Sequence, residues 1–314
     1  MKLENTIEVT KKTSPFIKWL KTKDKNKIAV CVAFMIVPLL LLFVFTYLPF
    51  LKMLQFSFYN MKYIGKREYV GLANYIEVFK RDDIFGALKL SIYYMGASFI
   101  QLGLALYFAT LLSFKTKGGS FFKGAMFFPY LVCGIAVGFI FKFFYTRGFV
   151  LDTLLSYIGI SMESLPYWLK DTRINNISLA ATSVWRYMGQ NMVLFIGAIT
   201  SVDPEMYQTA ELDGANGWQK FRYIIMPSIK TIIVLNLILS ITGSLSAFEP
   251  PYVITNGTFG TGTYFVIMNR IAHENQKVGL ASAMAIVLLL IIFIATMIQK
   301  LLFSHVFNDK EEAR

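Results

Sequence analysis

The chain has 314 residues, of which 55% are hydrophobic and 16% are charged, and its mean hydropathy is +0.53. Because soluble domains average about 25% charged residues, this composition excludes an ordinary soluble domain and indicates a membrane protein. The net charge of +12 does not indicate binding of nucleic acid, since the basic residues flank apolar segments and form no soluble basic domain.

The apolar residues occur in continuous blocks, and the block from Ile28 to Phe50 contains no charged residue. A bilayer core about 30 Å thick needs roughly 20 apolar residues for one helical crossing, and lipid leaves the backbone no partner outside its own helix. The sequence therefore predicts an all-α, polytopic membrane protein with one domain of six transmembrane helices, residues 28–306. The predicted spans are Ile28–Leu51, Ala87–Phe114, Phe121–Tyr145, Ser178–Ser201, Ser228–Phe248 and Gly279–Phe303.

Lysine placement predicts how the chain lies in the membrane. Residues 1–27 form a basic N-terminal tail, and lysines concentrate where this tail meets the first span. Basic residues also occur in the predicted outer loops, for example Lys62 and Arg173, but the first span usually dominates orientation. Both termini are therefore predicted to be cytosolic, including the short C-terminal tail at residues 307–314. The two cysteines, Cys31 and Cys133, lie in apolar runs without a Cys/His cluster, so no metal site is predicted.

Residues 201–228, between the fourth and fifth predicted spans, form an amphipathic loop that we name the coupling loop. Asp203 followed by Pro204 is a helix-start signal, and Gly214 is suited to the left-handed end of that helix. Asn216 can begin a second helix, whose Trp218, Phe221 and Ile225 fall on one face at helical spacing. Two short helices at an angle are predicted below the membrane.

This loop resembles the conserved motif of binding-protein-dependent ABC importer permeases. Their pattern is Glu-Ala-Ala, three residues, Gly, nine residues, Ile, one residue and Leu-Pro; here the same spacing joins Gln208-Thr209-Ala210, Gly214, Ile224 and Met226-Pro227. Gln208 replaces the usual acid, and Glu205 and Glu211 are the acids available to substitute for it. The resemblance implies contact with an ATPase through Tyr207, Gln208, Thr209, Ala210, Asp213, Gly214, Ala215, Trp218, Phe221 and Pro227.

Further segments resemble the carbohydrate class of these importers, in particular the first permease of the maltose-importer type. They are Tyr47-Leu48-Pro49, Val70-Gly71-Leu72-Ala73-Asn74-Tyr75, Phe127-Phe128-Pro129 and the stretch from Phe248 to Gly257. The resemblance implies a heterodimer with a second permease, two cytosolic ABC ATPases and an extracellular sugar-binding protein, in a bacterial plasma membrane. The chain itself contains no GxxxxGK[ST] segment, so ATP and Mg²⁺ are expected on the ATPases, and no cofactor or catalytic residue is expected here.

Polar residues within predicted spans are candidates for the substrate path, because polar groups in lipid are expensive and usually functional. Sugars require hydrogen-bonding groups and an aromatic platform, which the fourth and fifth spans provide. The candidates are Ser183, Tyr187, Gln190, Ser240, Gly243 and Ser244. Arg186 is expected to pair with an acidic group or a lipid headgroup. The outer loop from Gly257 to Lys277, with Gly260 and Gly262 for flexibility, is expected to dock the binding protein.

Other functions remain as alternatives. An ion-coupled secondary transporter would need inverted repeats and acids at mid-membrane, but the spans contain almost no Asp or Glu apart from Glu249 at an end. A membrane-embedded enzyme would need paired acids, a Ser/His pair or metal ligands, which the sequence lacks. A glycerol-phosphate permease would need more basic residues than Arg186, and a polyamine permease would need acids, so a neutral sugar fits best.

Overall fold

A computed structural model describes residues 25–308 except residue 115, and it divides the chain into two units, residues 1–55 and 56–314. The predicted tails, residues 1–27 and 307–314, therefore lie almost entirely outside the described residues. The helices are α1 (Lys25–Leu42), α2 (Leu48–Phe56), α3 (Ala73–Lys80), α4 (Asp82–Lys89), α5 (Ser91–Ser113), α6 (Gly119–Leu131), α7 (Gly134–Tyr145), α8 (Val150–Tyr157), α9 (Asn175–Thr200), α10 (Pro204–Leu212), α11 (Gly217–Lys220), α12 (Met226–Ser228), α13 (Lys230–Leu245), α14 (Glu249–Thr255), α15 (Tyr264–His273) and α16 (Val278–Asn308). The strands β1 (Tyr59–Asn60) and β2 (Glu68–Tyr69) form an antiparallel pair.

The described part of the first unit is one apolar helical segment. It consists of α1, a π-helical turn at Phe43–Tyr47 and α2 up to Gln55. The apolar segment Ala33–Phe56 has a mean hydropathy of 2.4. Pro38 lies inside α1 and the π-helical turn follows it by five residues. Proline removes one backbone donor, so a local adjustment of the hydrogen-bond ladder near it is expected.

Four helical segments of the described chain are long and apolar enough to cross a membrane, or five when a bent pair is counted as one span. The four are Ala33–Phe56, Asp82–Ser113, Lys230–Thr255 and Val278–Phe303. Helix α9 has 26 residues, or about 39 Å at the usual rise, but its polar residues keep it outside this set. The all-α membrane fold is confirmed, while the count of six spans stays a prediction.

The third predicted span, Phe121–Tyr145, is broken into two helices. Helices α6 and α7 replace it, and their axes differ by 98° across a break at Val132 and Cys133, which are extended. Pro129 near the end of α6 weakens the helix before the break. After the break, Gly134, the first residue of α7, lies directly against Glu249 of α14, where an added side chain would overlap the carboxylate.

Helices α5 and α9 form the centre of the second unit. Ala105 and Ala109 of α5 are fully buried against Met192 and Phe195 of α9, and small residues allow two helices to approach closely. Helix α6 crosses α9 at Gly189, where an added Cβ would overlap the carbonyl oxygen of Met126. These contacts fix the position of α9, which carries three of the predicted substrate-path residues.

A second core lies between α3, α4, α15 and α16. Tyr264 of α15 is fully buried and donates a hydrogen bond to the carbonyl oxygen of Met284, 2.8 Å away. The predicted outer loop from Gly257 to Lys277 therefore contains a helix, α15, which begins after the two glycines that were expected to give flexibility. Apolar side chains of this segment are anchored in the core, whereas Gly257 and Gly260 use positive φ angles in the turn before α15.

Asn74 connects the start of α3 to β1 and the residues just before it. Its side-chain amide donates to the carbonyl oxygens of Ser57 and Tyr59, at 2.8 and 3.0 Å, and the residue is buried. Gly71 permits the approach by adopting a φ of 56° just before α3. The segment Val70–Tyr75, first noted as a sequence resemblance, thus has a structural role in closing the hairpin onto α3.

Replacing Asn74 with alanine should lower the free energy of unfolding by about 2 kcal/mol, because one buried and one partly buried carbonyl oxygen lose this donor. The melting temperature of the detergent-solubilised chain, followed by tryptophan fluorescence, measures this. The matched control is Asn60→Ala, since Asn60 is exposed on β1. Equal melting temperatures for the two variants would contradict the structural role of Asn74.

Candidate functional site

A cavity of about 410 Å³ lies among α5, α9, α13 and the start of α14. All six residues proposed from the sequence as substrate-path candidates line it: Ser183, Tyr187, Gln190, Ser240, Gly243 and Ser244. The polar faces of two helices that are separate in sequence therefore meet around one space. The volume lies within the roughly 300–1,000 Å³ of typical small-molecule pockets.

The polar side chains of this cavity differ in whether they form hydrogen bonds within the protein. The Ser244 hydroxyl donates to the carbonyl oxygen of Ser240 at 2.7 Å, and the Asn236 amide donates to that of Ile232 at 2.8 Å. Within the described residues, the side chains of Ser183 and Gln190 make no hydrogen bond, although both are partly accessible. These two groups are available to a ligand without breaking an existing bond.

Tyrosines contribute the aromatic part of the wall. The ring of Tyr187 lies 6.2 Å from that of Tyr130, and the Arg186 guanidinium lies 5.1 Å from the Tyr187 ring centroid. Tyr94 of α5 also lines the cavity; it is buried, and its hydroxyl has no hydrogen-bond partner among the described residues. Sequence reasoning missed Tyr94, because an aromatic residue in an apolar helix does not show which side it faces.

Arg186 pairs with Glu249, which confirms the expectation that Arg186 would find an acidic partner. Glu249 begins α14 and lines the cavity, while Arg186 is largely buried behind the wall. Sequence reasoning placed Glu249 only at the end of a span and not in the substrate path. The signal that was available is that an isolated acid and an isolated base within membrane segments tend to pair.

The coupling loop has the local structure that its sequence predicts. The Asp203 carboxylate accepts from the backbone N–H of Glu205 at 2.9 Å, and Pro204 is the first residue of α10. Gly214 ends this helix with a φ of 75°, and the N–H of Ala215 donates to the Ala210 carbonyl at 2.8 Å, a Schellman arrangement. Asn216 caps α11 through a reciprocal pair of bonds with Gln219.

Side chains of the coupling loop attach it to the membrane helices. Tyr207 is partly buried, with its ring 5.4 Å from Phe114 and its hydroxyl 3.4 Å from the carbonyl oxygen of Ile199; burial raises the pKa of Tyr207. Phe221 and Ile225 pack into the core between α5, α9 and α13. A displacement of the loop must therefore displace the ends of these helices.

The Glu211 carboxylate lies 2.7 Å from the Lys220 ammonium group, so an ion pair joins α10 to α11. Glu211 is thus already engaged within the loop, which leaves Glu205 as the less constrained substitute for the acid missing at Gln208.

Trp218 is the exposed member of the predicted face. Its side chain is 67% exposed and stacks on Phe221 with the ring centroids 5.5 Å apart, so these two residues share one side of the loop. A π-helical turn at Phe221–Ile225 follows, and Ile225 is buried. Of the other predicted contact residues, Gln208, Thr209, Asp213, Gly214 and Pro227 are exposed, whereas Ala210 and Ala215 are partly buried.

Among the residues that the structure describes, no three His, Cys, Asp or Glu side chains lie close enough together to hold a metal ion. His273 is exposed, forms a hydrogen bond with the hydroxyl of Tyr63 at 2.8 Å and stacks on its ring. The chemistry that the cavity offers is therefore hydrogen bonding, aromatic contact and the charge of Glu249.

Comparison with known proteins gives consistent results. The family model described as "Binding-protein-dependent transport system inner membrane component" matches residues 101–308. The Bacillus subtilis (strain 168) protein named "Probable ABC transporter permease protein YurN" is 28% identical over 288 residues, which cover 88% of this chain and 96% of that protein. The "Probable starch degradation products transport system permease protein AmyD" of Thermoanaerobacterium thermosulfurigenes is 25% identical over 264 residues, covering 83% and 89%.

A solved structure of a bacterial alginate ABC transporter, in complex with alginate pentasaccharide-bound periplasmic protein, includes a chain of the same fold. The TM-score is 0.75 at 20% identity, covering 88% of this chain and 94% of that chain. The family match includes the whole coupling loop and most of the cavity wall. Because it extends over about two thirds of the sequence, this chain belongs to the binding-protein-dependent transport system inner membrane component family and is an integral membrane protein.

Proposed function

We propose that the chain is the membrane permease subunit of an ATP-driven importer that moves a neutral oligosaccharide delivered by an extracellular binding protein. The main support for this proposal is that the coupling loop is the chain segment that joins two helices of the cavity wall. Helix α9 supplies one wall of the cavity and ends at Thr200, and α13 supplies another and begins at Lys230. The loop between them is the segment that resembles the ATPase contact of ABC permeases.

The cavity favours a neutral sugar. Its wall combines tyrosines with serine, glutamine and asparagine side chains, which match sugar hydroxyls and ring faces. A phosphate substrate would call for free basic groups, but Arg186 is neutralised by Glu249. A polyamine would call for several acids, whereas Glu249 is the one acid among the described residues that line the cavity. AmyD is named for starch degradation products and the solved transporter for alginate, an acidic polysaccharide. These names support a saccharide, and the composition of the cavity wall supports a neutral one.

The partners in this proposal are a second permease, two copies of an ABC ATPase and an extracellular sugar-binding protein. The solved complex with a periplasmic protein supports the last of these. ATP and Mg²⁺ would bind to the ATPases, and no cofactor would bind to this chain. The basic N-terminal segment favours cytosolic termini in a bacterial plasma membrane, which places the coupling loop on the ATPase side.

The mechanism requires two packings of the helices, of which ATP binding stabilises one. Closure of the ATPases would draw the coupling loops of the two permeases together. Because Phe221 and Ile225 are embedded in the core beside α5 and α9, the movement would be transmitted to the cavity walls. The cavity would then open toward the binding protein, and ATP hydrolysis would reset it.

Affinity purification of the tagged chain in a mild detergent tests the proposed assembly. Mass spectrometry should identify a P-loop ATPase and a second permease in the purified complex. Recovery of the chain alone, under conditions in which a known ABC importer stays intact, would contradict the proposal and favour an ion-coupled secondary transporter. If the chain is a secondary transporter, an ion gradient, and not ATP, should drive uptake into vesicles.

The substrate class has its own test. The purified importer with its binding protein should hydrolyse ATP faster in the presence of neutral oligosaccharides than with glycerol 3-phosphate or spermidine. Stimulation by glycerol 3-phosphate or spermidine, but not by any neutral oligosaccharide, would contradict the sugar assignment and leave the ABC permease assignment in place.

A further inference from the structure

Glu249 is the charged residue of the cavity wall: the other residues that line this cavity in the described structure are neutral. Its side chain is 41% exposed, whereas that of Arg186 is only 14% exposed. The carboxylate therefore faces the space that a substrate would enter, and the guanidinium lies behind it. The ion pair holds the carboxylate at the wall without removing it from the cavity.

Three elements fix the position of this carboxylate. The Arg186 guanidinium of α9 binds one carboxylate oxygen, Oε2. Gly134 at the start of α7 supplies the room, since a Cβ there would overlap both oxygens and the carboxyl carbon. The backbone of α14 begins at Glu249 itself and is stiffened by Pro250 and Pro251. A group held from three directions is preorganised for a ligand and loses little conformational entropy on binding.

The chemistry of a fixed carboxylate is specific. It accepts hydrogen bonds through about four lone-pair sites and donates none, so it can receive hydroxyl hydrogens in addition to its bond with arginine. Bonds from hydroxyl groups to carboxylates are short and about twice as strong as neutral ones. A substrate that carries a carboxylate or phosphate would instead place like charges together, which disfavours its entry.

Unpartnered groups in the same wall complement the carboxylate. The Tyr94 hydroxyl is buried without a partner, and the side chains of Ser183 and Gln190 have none among the described residues. The Nε atom of Arg186 is also buried and unpartnered, so the guanidinium is only partly satisfied. Loss of the Glu249 charge would therefore leave an uncompensated arginine close to the cavity.

Resting on the proposed sugar-import function, we propose that Glu249 is a specificity-determining residue of the substrate path. Its carboxylate, fixed by Arg186 and Gly134, accepts hydroxyl hydrogens of a neutral oligosaccharide and excludes saccharides that carry carboxylates. A purely structural ion pair would hold helices α9 and α14 together but would not discriminate between neutral and anionic ligands.

The test uses saturation-transfer difference NMR on the importer purified with its partners and placed in lipid nanodiscs without the binding protein. The probes are maltotriose and arabinotriose as neutral sugars and trigalacturonate as the anionic one, at millimolar concentrations. The wild-type complex should give signals from a neutral trisaccharide and none from trigalacturonate. Glu249→Gln should weaken the neutral signal about tenfold, as expected for the loss of a hydrogen bond to a charged acceptor, and should produce a trigalacturonate signal.

Two further variants complete the design. Arg186→Gln combined with Glu249→Gln should also weaken the neutral signal, and it should give a trigalacturonate signal smaller than that of Glu249→Gln, because the repelling carboxylate is gone but no unpaired arginine remains to attract the anion. This double variant decides the question alone if Glu249→Gln fails to assemble, as judged by size-exclusion chromatography and basal ATP hydrolysis. Glu163→Gln, at an exposed residue outside the cavity, is the matched control and should behave as wild type.

The outcomes separate this inference from the function on which it rests. A neutral signal that stays within about twofold of wild type in an assembled variant lacking the Glu249 charge would overturn the role of Glu249 alone. Equal binding of trigalacturonate and maltotriose by the wild type would do the same. A wild-type complex that binds none of the three saccharides would contradict the sugar function itself, and the role of Glu249 with it.

Discussion

Gly189→Ala is expected to destabilise the folded chain by about 3 kcal/mol, the upper part of the range for overpacking a tight contact. Helix α9 crosses α6 at Gly189, and an alanine Cβ would overlap the carbonyl oxygen of Met126. The obstructing atom belongs to a backbone within a helix, so it cannot move aside as a flexible side chain would. Alanine also favours a helix interior over glycine by about 1 kcal/mol, so any net loss of stability understates the steric cost.

Gly197 provides the matched control for this substitution. It lies in the same helix, α9, but an added Cβ at Gly197 would meet no atom within 4 Å. Gly197→Ala should therefore leave the melting temperature of the solubilised chain unchanged or raise it, while Gly189→Ala lowers it. If the two variants had the same melting temperature, the close crossing of α6 and α9 would be wrong.

The fold class and the coupling loop were predictable because their determinants are local. Long apolar blocks must form helices in lipid, and the end of α10 depends on Gly214 and residues within one turn of it. The reciprocal cap at Asn216 likewise requires only Gln219, three residues away. The cavity-lining residues could be predicted because polar residues within apolar helices are costly in lipid and are therefore identifiable from the sequence. Ser183, Gln190 and Ser240 are examples, and all three line the cavity.

What the sequence did not reveal depends on contacts between distant segments. The break between α6 and α7 involves the fit of Glu249 against Gly134, 115 residues apart in the chain (249 − 134). The π-helical turn at Phe221–Ile225 was marked by no residue pattern. Tyr94 is indistinguishable in the sequence from the other aromatic residues of its span, and only the packing of α9 beside α5 places it in the cavity wall. Long-range packing, and not local propensity, selected these arrangements.

The difference between local interactions and long-range packing also determines how the cavity and the coupling loop act together. The loop is built from local capping interactions that hold its shape, whereas Tyr207, Phe221 and Ile225 attach it to the membrane helices. A rigid element on a firmly packed attachment can transmit a displacement without absorbing it. Changes within the loop should therefore impair coupling before they impair the cavity, because the two depend on different interactions.

Gly214→Pro is the substitution that should separate them. Proline fixes φ near −65°, while Gly214 adopts 75°, and proline also removes the N–H that bonds to the Glu211 carbonyl at 3.1 Å. The end of α10 must rearrange, at a local cost of about 3 kcal/mol. Uptake of the transported sugar and the stimulation of ATP hydrolysis by the loaded binding protein should fall at least about tenfold, a typical size for the loss of coupling between sites.

Membrane insertion and the cavity should survive this change, since Gly214 is exposed and an added Cβ there meets no atom within 4 Å. Gly217→Ala is the matched control: Gly217 is the first residue of α11, lies in equally open space and has no positive φ, so transport should be retained. Wild-type uptake by the Gly214→Pro variant would show that the shape of the loop does not matter for coupling. Loss of both uptake and membrane insertion would show that the loop is needed for folding, and the proposed division between the rigid loop and the packed helices would then fail.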